Sequence, residues 1–298
     1  MMKKEPALTN TAKTRSSGNE LRRMLRIFIS RKIVILGFAI ILVLLIGAIF
    51  APVLAPYDPY EQNLEEALKA PGHAHLLGTD AIGRDTLSRI IYGTRTSLII
   101  GIVAISIAAF IGMLMGLIAG YFGGKTYAFF MRFIDAQMCF PPILMALVVA
   151  GILGSGLKNV VIAIGISLIP AYGRLMCAQV LTVKENDYVL AARAAGASNL
   201  RIMMRHVVPN CFPPLIVLIT MNIGMAILSE AGLSFLGLGI APPGAAWGAM
   251  VSDGYLYLKT HPILSFAPGL AIMLVVFAFN MVGDGLRDAL DPRLRGTL

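Results

Sequence analysis

The feature that most constrains this chain is a series of long stretches without charge. Four stretches, residues 33–57, 96–124, 136–157 and 260–283, contain no charged residue, and 159–180 and 207–238 contain one each. A helix needs about 20 apolar residues to span the hydrocarbon core of a bilayer. We therefore predict an all-α, polytopic membrane protein with six transmembrane helices.

The composition excludes several classes of protein. Of the 298 residues 57% are hydrophobic and 14% charged, against about 25% charged in soluble domains, which excludes a soluble enzyme, a secreted disulfide scaffold and a disordered protein. The basic residues form no stripe for nucleic acid, so the lipid bilayer is the expected surrounding. We predict that Cys139, Cys177 and Cys211 pack as small hydrophobic residues and form neither a disulfide framework nor a metal cluster.

The basic residues predict the orientation. If the N-terminus is cytoplasmic, 19 Lys and Arg residues lie in inner segments and six in outer ones, and basic residues favour the cytoplasmic side. We predict that both termini are cytoplasmic. The chain then divides into a basic cytoplasmic leader (1–30), a first span with the long outer loop (31–95), and the remaining five spans (96–298).

The outer loop shows two local patterns. Residues 85–93 are amphipathic, with Asp85 and Arg89 one helical turn apart, which predicts a short interfacial helix with an ion pair. His73 and His75 have no third metal ligand nearby, so we interpret them as solvated loop residues.

The inner loop, residues 185–209, predicts two short helices. Asn186 and Asp187 can cap the first, which stops at Gly196, and Ser198 can cap the second. Pro209 suits the opening of the fifth span. The second helix carries apolar residues at helical spacing and a basic edge: Leu200, Met203, Met204 and Val207, with Arg201 and Arg205. Periodicity leaves open whether this loop packs only on its own bundle or contacts another surface.

The same loop resembles the EAA loop of ABC-importer permeases. Ala191 and Ala192 are followed by Gly196 and then, after twelve intervening residues, by Pro209, as in that motif. Leu190 stands where the motif has Glu, and His206 stands at its first late apolar position.

Three further segments extend the resemblance to most of the chain. They are His-Leu-Leu-Gly-Thr-Asp-Ala-Ile-Gly-Arg-Asp at 75–85, Leu-Ser-Phe-Leu-Gly-Leu-Gly at 233–239 with Trp247-Gly248, and Gly-Asp-Gly-Leu-Arg-Asp-Ala-Leu-Asp-Pro at 283–292. Together they are similar to the C-type permease of dipeptide, oligopeptide and nickel importers, with the type I importer permease fold.

The resemblance implies a non-enzymatic subunit in the bacterial inner membrane. Its partners would be a second homologous permease, two ABC ATPase subunits that bind ATP and Mg²⁺, and an external solute-binding protein, with no cofactor in this chain. Residues 185–209 would couple to the ATPases, through Leu190, Ala191, Ala192, Gly196, Ser198, Arg201, Arg205 and Pro209. The solute would be a di- or oligopeptide, or alternatively a nickel chelate or a glutathione-like compound.

Polar groups at membrane depth are candidates for the translocation path, because exposing them to lipid is unfavourable. They are Asp135, Arg174, Glu230 and Asn280. The alternative for each is an interhelical hydrogen bond or an interfacial position. A distant alternative for the whole chain is an ion-coupled secondary transporter, for which Glu230 is the one candidate carboxylate. In contrast, Gly112, Gly116 and Gly120 predict a close-packing helix face.

Overall fold

A computed structural model describes residues 31–290, and the predicted leader lies outside the described residues. The described part is helical, without a β-strand; one isolated bridge joins Thr79 to Asp85. The helices are α1 (Lys32–Ile49), α2 (Ala51–Leu54), α3 (Thr86–Phe122), α4 (Gly124–Met138), α5 (Pro142–Leu153), α6 (Leu157–Val183), α7 (Asp187–Ala194), α8 (Asn199–Ile202), α9 (Val208–Phe235), α10 (Trp247–Tyr255) and α11 (Ile263–Leu290).

Five of these helices are each long and apolar enough to cross a membrane. They are α1, α3, α6, α9 and α11, and α9 continues α8 through a π-helical turn at Met203–Val207. The third predicted span, residues 136–157, falls on the pair α4 and α5, which are bent by 89° relative to each other. By itself α5 has 12 residues, or about 18 Å of helix, too short for a core about 30 Å thick.

The bend between α4 and α5 coincides with two consecutive prolines. The chain turns away from the α4 axis at Pro141 and Pro142, because a proline has no N–H group to donate to the next helical hydrogen bond. Just before the bend, Ile134 is buried against Gly173, in the second half of α6. Residues 136–157 are therefore one apolar run in sequence but belong to a sharply bent pair of helices in the structure.

The packing of α3 against α6 forms the centre of the molecule. A Cβ atom built on Gly112 would lie 2.7 Å from Tyr172 Cβ, and one on Gly120 would lie 2.9 Å from Val180 Cβ. Both distances are shorter than ordinary contacts. The predicted close-packing face is thus confirmed, and its neighbour is α6 of the same chain.

The first span packs on the last one. Gly37 of α1 lies against Met281 of α11, and Gly285 of α11 lies against Val34 of α1. At the predicted inner ends of these helices, an ion pair joins Arg31 to Asp288, with 2.5 Å between Nη1 and Oδ2.

Two expectations for the outer loop are wrong. Residues 86–93 form no separate interfacial helix, because they are the first turns of α3. Asp85 does not pair with Arg89; it is the N-cap of α3, and its carboxylate accepts a hydrogen bond from the Ser88 backbone N–H at 2.8 Å. A capping carboxylate satisfies an otherwise free N–H group at the helix start.

The predictions for the cysteines and histidines are each correct for some residues and not for others. Cys177 and Cys211 are buried as predicted, whereas Cys139 is exposed. His73 is exposed, but the solvated position predicted for His75 is wrong, because its side chain is buried.

Candidate functional site

The inner loop folds into the two predicted short helices. At the end of α7 the chain reverses at Gly196, whose φ is +76°. Gly196 N–H donates to Arg193 O at 3.0 Å and Ala197 N–H donates to Ala192 O at 3.1 Å. This pair of bonds is a Schellman motif, in which the left-handed position favours glycine. Gly196 therefore determines the angle between α7 and α8.

The second short helix begins at the predicted cap. Ser198 Oγ accepts a hydrogen bond from the Arg201 N–H at 3.4 Å. Asn186 is the residue before α7, but its side chain makes no capping bond and donates instead to Val183 O. Of the three predicted capping residues, only Ser198 therefore makes a capping bond, because no side chain caps the start of α7 at Asp187.

The loop is anchored on the bundle at several points. Val189, Ile202, Met203 and Val207 are buried in the same core as α3 and α6. Tyr121 at the end of α3 donates its hydroxyl to Asn199 Oδ1 at 2.9 Å. The loop is therefore in direct contact with α3 and shares a core with α3 and α6.

One face of the loop remains uncovered. Four apolar side chains are exposed, with relative exposures of 44% to 67%, and we call them the loop crest: Tyr188, Leu190, Leu200 and Met204. The expectation that Leu200 and Met204 share a face with buried Met203 and Val207 is wrong, because the π-helical turn alters the spacing. Around the crest lie further exposed residues of the predicted coupling set: Ala191, Gly196, Ser198, Arg201, Arg205 and Pro209; Ala192 is partly buried.

The structure brings two of the four membrane-depth polar residues together. Arg174 Nη2 of α6 donates to Asp135 Oδ1 of α4, and both side chains are about half exposed. Asn280 donates to Val276 O within α11. Glu230 of α9 is fully buried and accepts a hydrogen bond from Ser234 Oγ at 2.6 Å. Their assignment to a translocation path stays a prediction.

A cavity of about 760 Å³ opens between α6, α9 and the end of α11. Its polar lining residues include Gln179, Asn210 and Arg287, and Pro209, Pro213 and Pro214 form one wall. Sequence reasoning missed Gln179 and Asn210, although each is a polar group beside an apolar run. The cavity lies next to Pro209 at the end of the inner loop.

The predicted outer face carries a buried charged cluster that the sequence did not indicate. Arg84 and Arg89 are 6% and 2% exposed. Asp80 Oδ2 lies 2.6 Å from Arg84 Nε and 3.7 Å from Arg89 Nε. Asp253 of α10 lies 4.0 Å from Arg84 Nη2. Because Asp253 is remote in sequence, no local pattern could have predicted this arrangement.

His75 joins the outer loop to the start of α3. Its Nδ1 lies 2.8 Å from Asp85 Oδ1, and its Nε2 lies 3.2 Å from Glu66 Oε2. Burial alone would lower the pKa of the imidazole, but the hydrogen bonds and charges of Asp85 and Glu66 outweigh it and raise that pKa. The Glu66 pKa is lowered, chiefly by Lys69 and then by His75.

Two family models match the chain. Residues 112–296 match the binding-protein-dependent transport system inner membrane component, and residues 20–71 match the N-terminal transmembrane domain of oligopeptide transport permease C.

Proteins with high sequence identity cover nearly the whole chain. The dipeptide transport system permease DppC of Alkalihalophilus pseudofirmus is 43% identical, over 89% of this chain and 87% of that protein. The di/tripeptide permease DppC of Pseudomonas aeruginosa is 46% identical, over 87% and 88%. The glutathione permease GsiD of Pectobacterium atrosepticum is 41% identical, over 92% and 91%.

Solved structures share the fold at low identity. An inward-facing MetNI methionine ABC transporter chain is 17% identical, with a TM-score of 0.57, over 69% of this chain and 97% of its own length. An amino acid ABC transporter chain is 15% identical, with a TM-score of 0.51, over 70% and 95%.

Proposed function

Because the chain belongs to the family of binding-protein-dependent transport system inner membrane components, we propose that it forms half of a translocation path for di- or oligopeptides. The names of the dipeptide and di/tripeptide relatives support this solute class. The glutathione relative supports the alternative of a glutathione-like solute, and a nickel chelate is the other alternative within the family.

The observation that carries the proposal is the loop crest. An exposed apolar patch beside basic residues is typical of a protein–protein contact, and Tyr188, Leu190, Leu200 and Met204 form such a patch outside the predicted spans. We propose that the crest contacts the ATPase subunits. At the position where the family motif has Glu, Leu190 would make an apolar contact instead of a charged one.

The proposed machine has several other parts. A second homologous permease would complete the path, two ABC ATPase subunits would bind ATP and Mg²⁺, and an external solute-binding protein would deliver the solute. The whole would lie in the bacterial cytoplasmic membrane, with both termini of this chain in the cytoplasm. Closure of the ATPases would move the anchored loop, and α3 and α6 would transmit this motion to the spans.

Transport by the complete system in proteoliposomes tests the proposal. We expect import of a labelled dipeptide that requires the binding protein and internal ATP, and no import with a proton gradient alone. Import driven by the gradient without ATP would instead support a secondary transporter. Competition by excess unlabelled dipeptide, glutathione or a nickel chelate distinguishes the three solutes, and a failure of dipeptide to compete would overturn the peptide assignment.

A further inference from the structure

Two adjacent cavities on the predicted outer face share the charged cluster. One has a volume of about 290 Å³ and the other about 240 Å³, and both are lined by Arg84, Arg89, Pro242 and Asp253. We call the two cavities together the outer pocket. Its rim is open to the outside, because Pro242, Asp253 and Leu256 are exposed. Ligand pockets usually begin at about 300 Å³, so the pocket is large enough for a small molecule.

The pocket contains polar groups with free hydrogen-bonding capacity. Among the hydrogen bonds of the described residues, the Arg84 side chain donates only through Nε, to Asp80. Thr86 Oγ1 is buried at the larger cavity and has no partner among those residues. Buried polar groups normally have partners, and a guanidinium group presents a fork that matches a carboxylate. Thr86 Oγ1 and the Arg84 Nη groups, which make no hydrogen bond among the described residues, are therefore available to an anionic group beside Arg84.

The opposite charge is also present in the pocket. The Asp253 carboxylate lies 4.0 Å from Arg84 Nη2, beyond hydrogen-bond distance, and its side chain is 65% exposed. In the described part of the chain it accepts no hydrogen bond, so it is available to a cation. The rest of the larger cavity is mainly apolar, with Ile82, Met250, Leu256, Tyr257 and Leu264 in its lining.

We propose that the outer pocket binds a small zwitterion with an apolar side chain, namely a short free peptide. Its carboxylate would bind Arg84 and Thr86, its ammonium group would bind Asp253, and its side chain would occupy the apolar part of the larger cavity. This inference rests on the proposed peptide function and adds a direct contact between this chain and the solute at the predicted outer face.

The test measures binding without the solute-binding protein. The transporter, assembled with its partner permease and ATPases in lipid nanodiscs, is titrated with the dipeptide Ala-Leu in a calorimeter. We expect saturable binding, and about tenfold weaker binding of Ala-Leu amide and of N-acetyl-Ala-Leu, because each lacks one charge-assisted interaction. Asp253→Asn should weaken Ala-Leu binding about tenfold and leave N-acetyl-Ala-Leu unchanged, since that ligand has no ammonium group.

Matched variants control for general effects of the substitutions. Glu61→Gln removes an exposed outer-loop carboxylate outside the pocket and should bind like the wild type. Arg84→Lys should weaken binding, because lysine lacks the fork, whereas Arg95→Lys changes an exposed arginine and should not. The Asp253 result decides the case if Arg84→Lys disturbs the Asp80 contact, since Asp253 is 65% exposed and lies 4.0 Å from Arg84 without a hydrogen bond.

Two outcomes would overturn the inference. One is the absence of saturable binding to the wild type, and the other is wild-type binding by both Asp253→Asn and Arg84→Lys. If the peptide does not bind but Asp253→Asn weakens attachment of the solute-binding protein, the cluster is a protein interface instead. ATP-driven import of Ala-Leu by the complete system tests the proposed function separately, so a transporter that imports the peptide without direct binding refutes only the pocket.

Discussion

Gly116 of α3 lies directly against the backbone of Gly173 of α6, so closely that a methyl group on Gly116 would overlap the carbonyl oxygen of Gly173. That methyl group would also lie 2.9 Å from Met176 Cβ. Gly116 is the middle residue of the close-packing face formed by Gly112, Gly116 and Gly120, which we call the glycine stripe. There the two helices are held by van der Waals packing of their backbones.

We expect Gly116→Leu to separate α3 from α6 and to destabilise the transporter by about 1–3 kcal/mol, the usual effect of overpacking a close interface. Thermal unfolding of the purified complex measures this as a lowered Tm. Gly151→Leu is the matched control, because an added Cβ there has no neighbour within 4 Å. Equal Tm values for the two variants would contradict the packing role of the stripe.

The His75 cluster predicts a pH-dependent outer loop. Because the folded loop raises the pKa of His75, protonated His75 stabilises the folded form. This contribution is complete below the unfolded pKa of about 6.5 and is lost as the pH rises through the folded value. Since the Glu66 pKa is lowered, that carboxylate stays ionised through this range.

We therefore expect His75→Gln to increase tryptic cleavage after Lys69, more strongly at pH 6 than at pH 8.5. The ratio of mutant to wild-type rates at each pH removes the pH dependence of the protease itself. His73→Gln changes an exposed histidine nearby and should give a ratio near one at both values. A ratio for His75→Gln that does not vary with pH would refute the proposed stabilisation.

The sequence predicted the fold better than it predicted the sites. Uncharged runs indicated the spans, since hydropathy over a window of about 19 residues identifies a membrane helix without reference to the rest of the fold. Hydropathy could not detect the bend at Pro141, because an apolar run has the same mean hydropathy whether its helix is bent or straight. Ser198 and Gly196 were predictable from local capping chemistry. The proximity of Asp253 to Arg84 was not, because it depends on how α10 packs on the outer loop.

Gly196 provides a test of the inner loop as the coupling element. A Cβ on Gly196 would have no neighbour within 4 Å, so the cost of a side chain is the left-handed backbone, about 1 kcal/mol. We expect Gly196→Asp to leave membrane insertion intact but to reduce ATPase co-purification or uncouple ATP hydrolysis from transport. Gly237→Asp is the matched control for co-purification, because Gly237 ends α9 with φ +79°, the same pair of backbone hydrogen bonds and equally free space. Wild-type co-purification and solute-stimulated ATP turnover for Gly196→Asp would refute the coupling role.

Glu230 tests whether a buried carboxylate in α9 serves transport or only packing. Its Oε1 accepts the Ser234 hydroxyl, and its Oε2 has no partner among the described residues. Gln keeps the shape and one acceptor oxygen but removes the charge, whereas Leu removes both and leaves the Ser234 hydroxyl without this acceptor, at a cost of about 1–3 kcal/mol. We therefore expect Glu230→Gln to assemble normally with the ATPases and Glu230→Leu to assemble less well. If the charge serves the translocation path, ATP-driven uptake by Glu230→Gln should fall severalfold at wild-type levels of complex. Unchanged uptake by Glu230→Gln, together with poor assembly of Glu230→Leu, would make Glu230 a structural hydrogen-bonding group and remove it from the path.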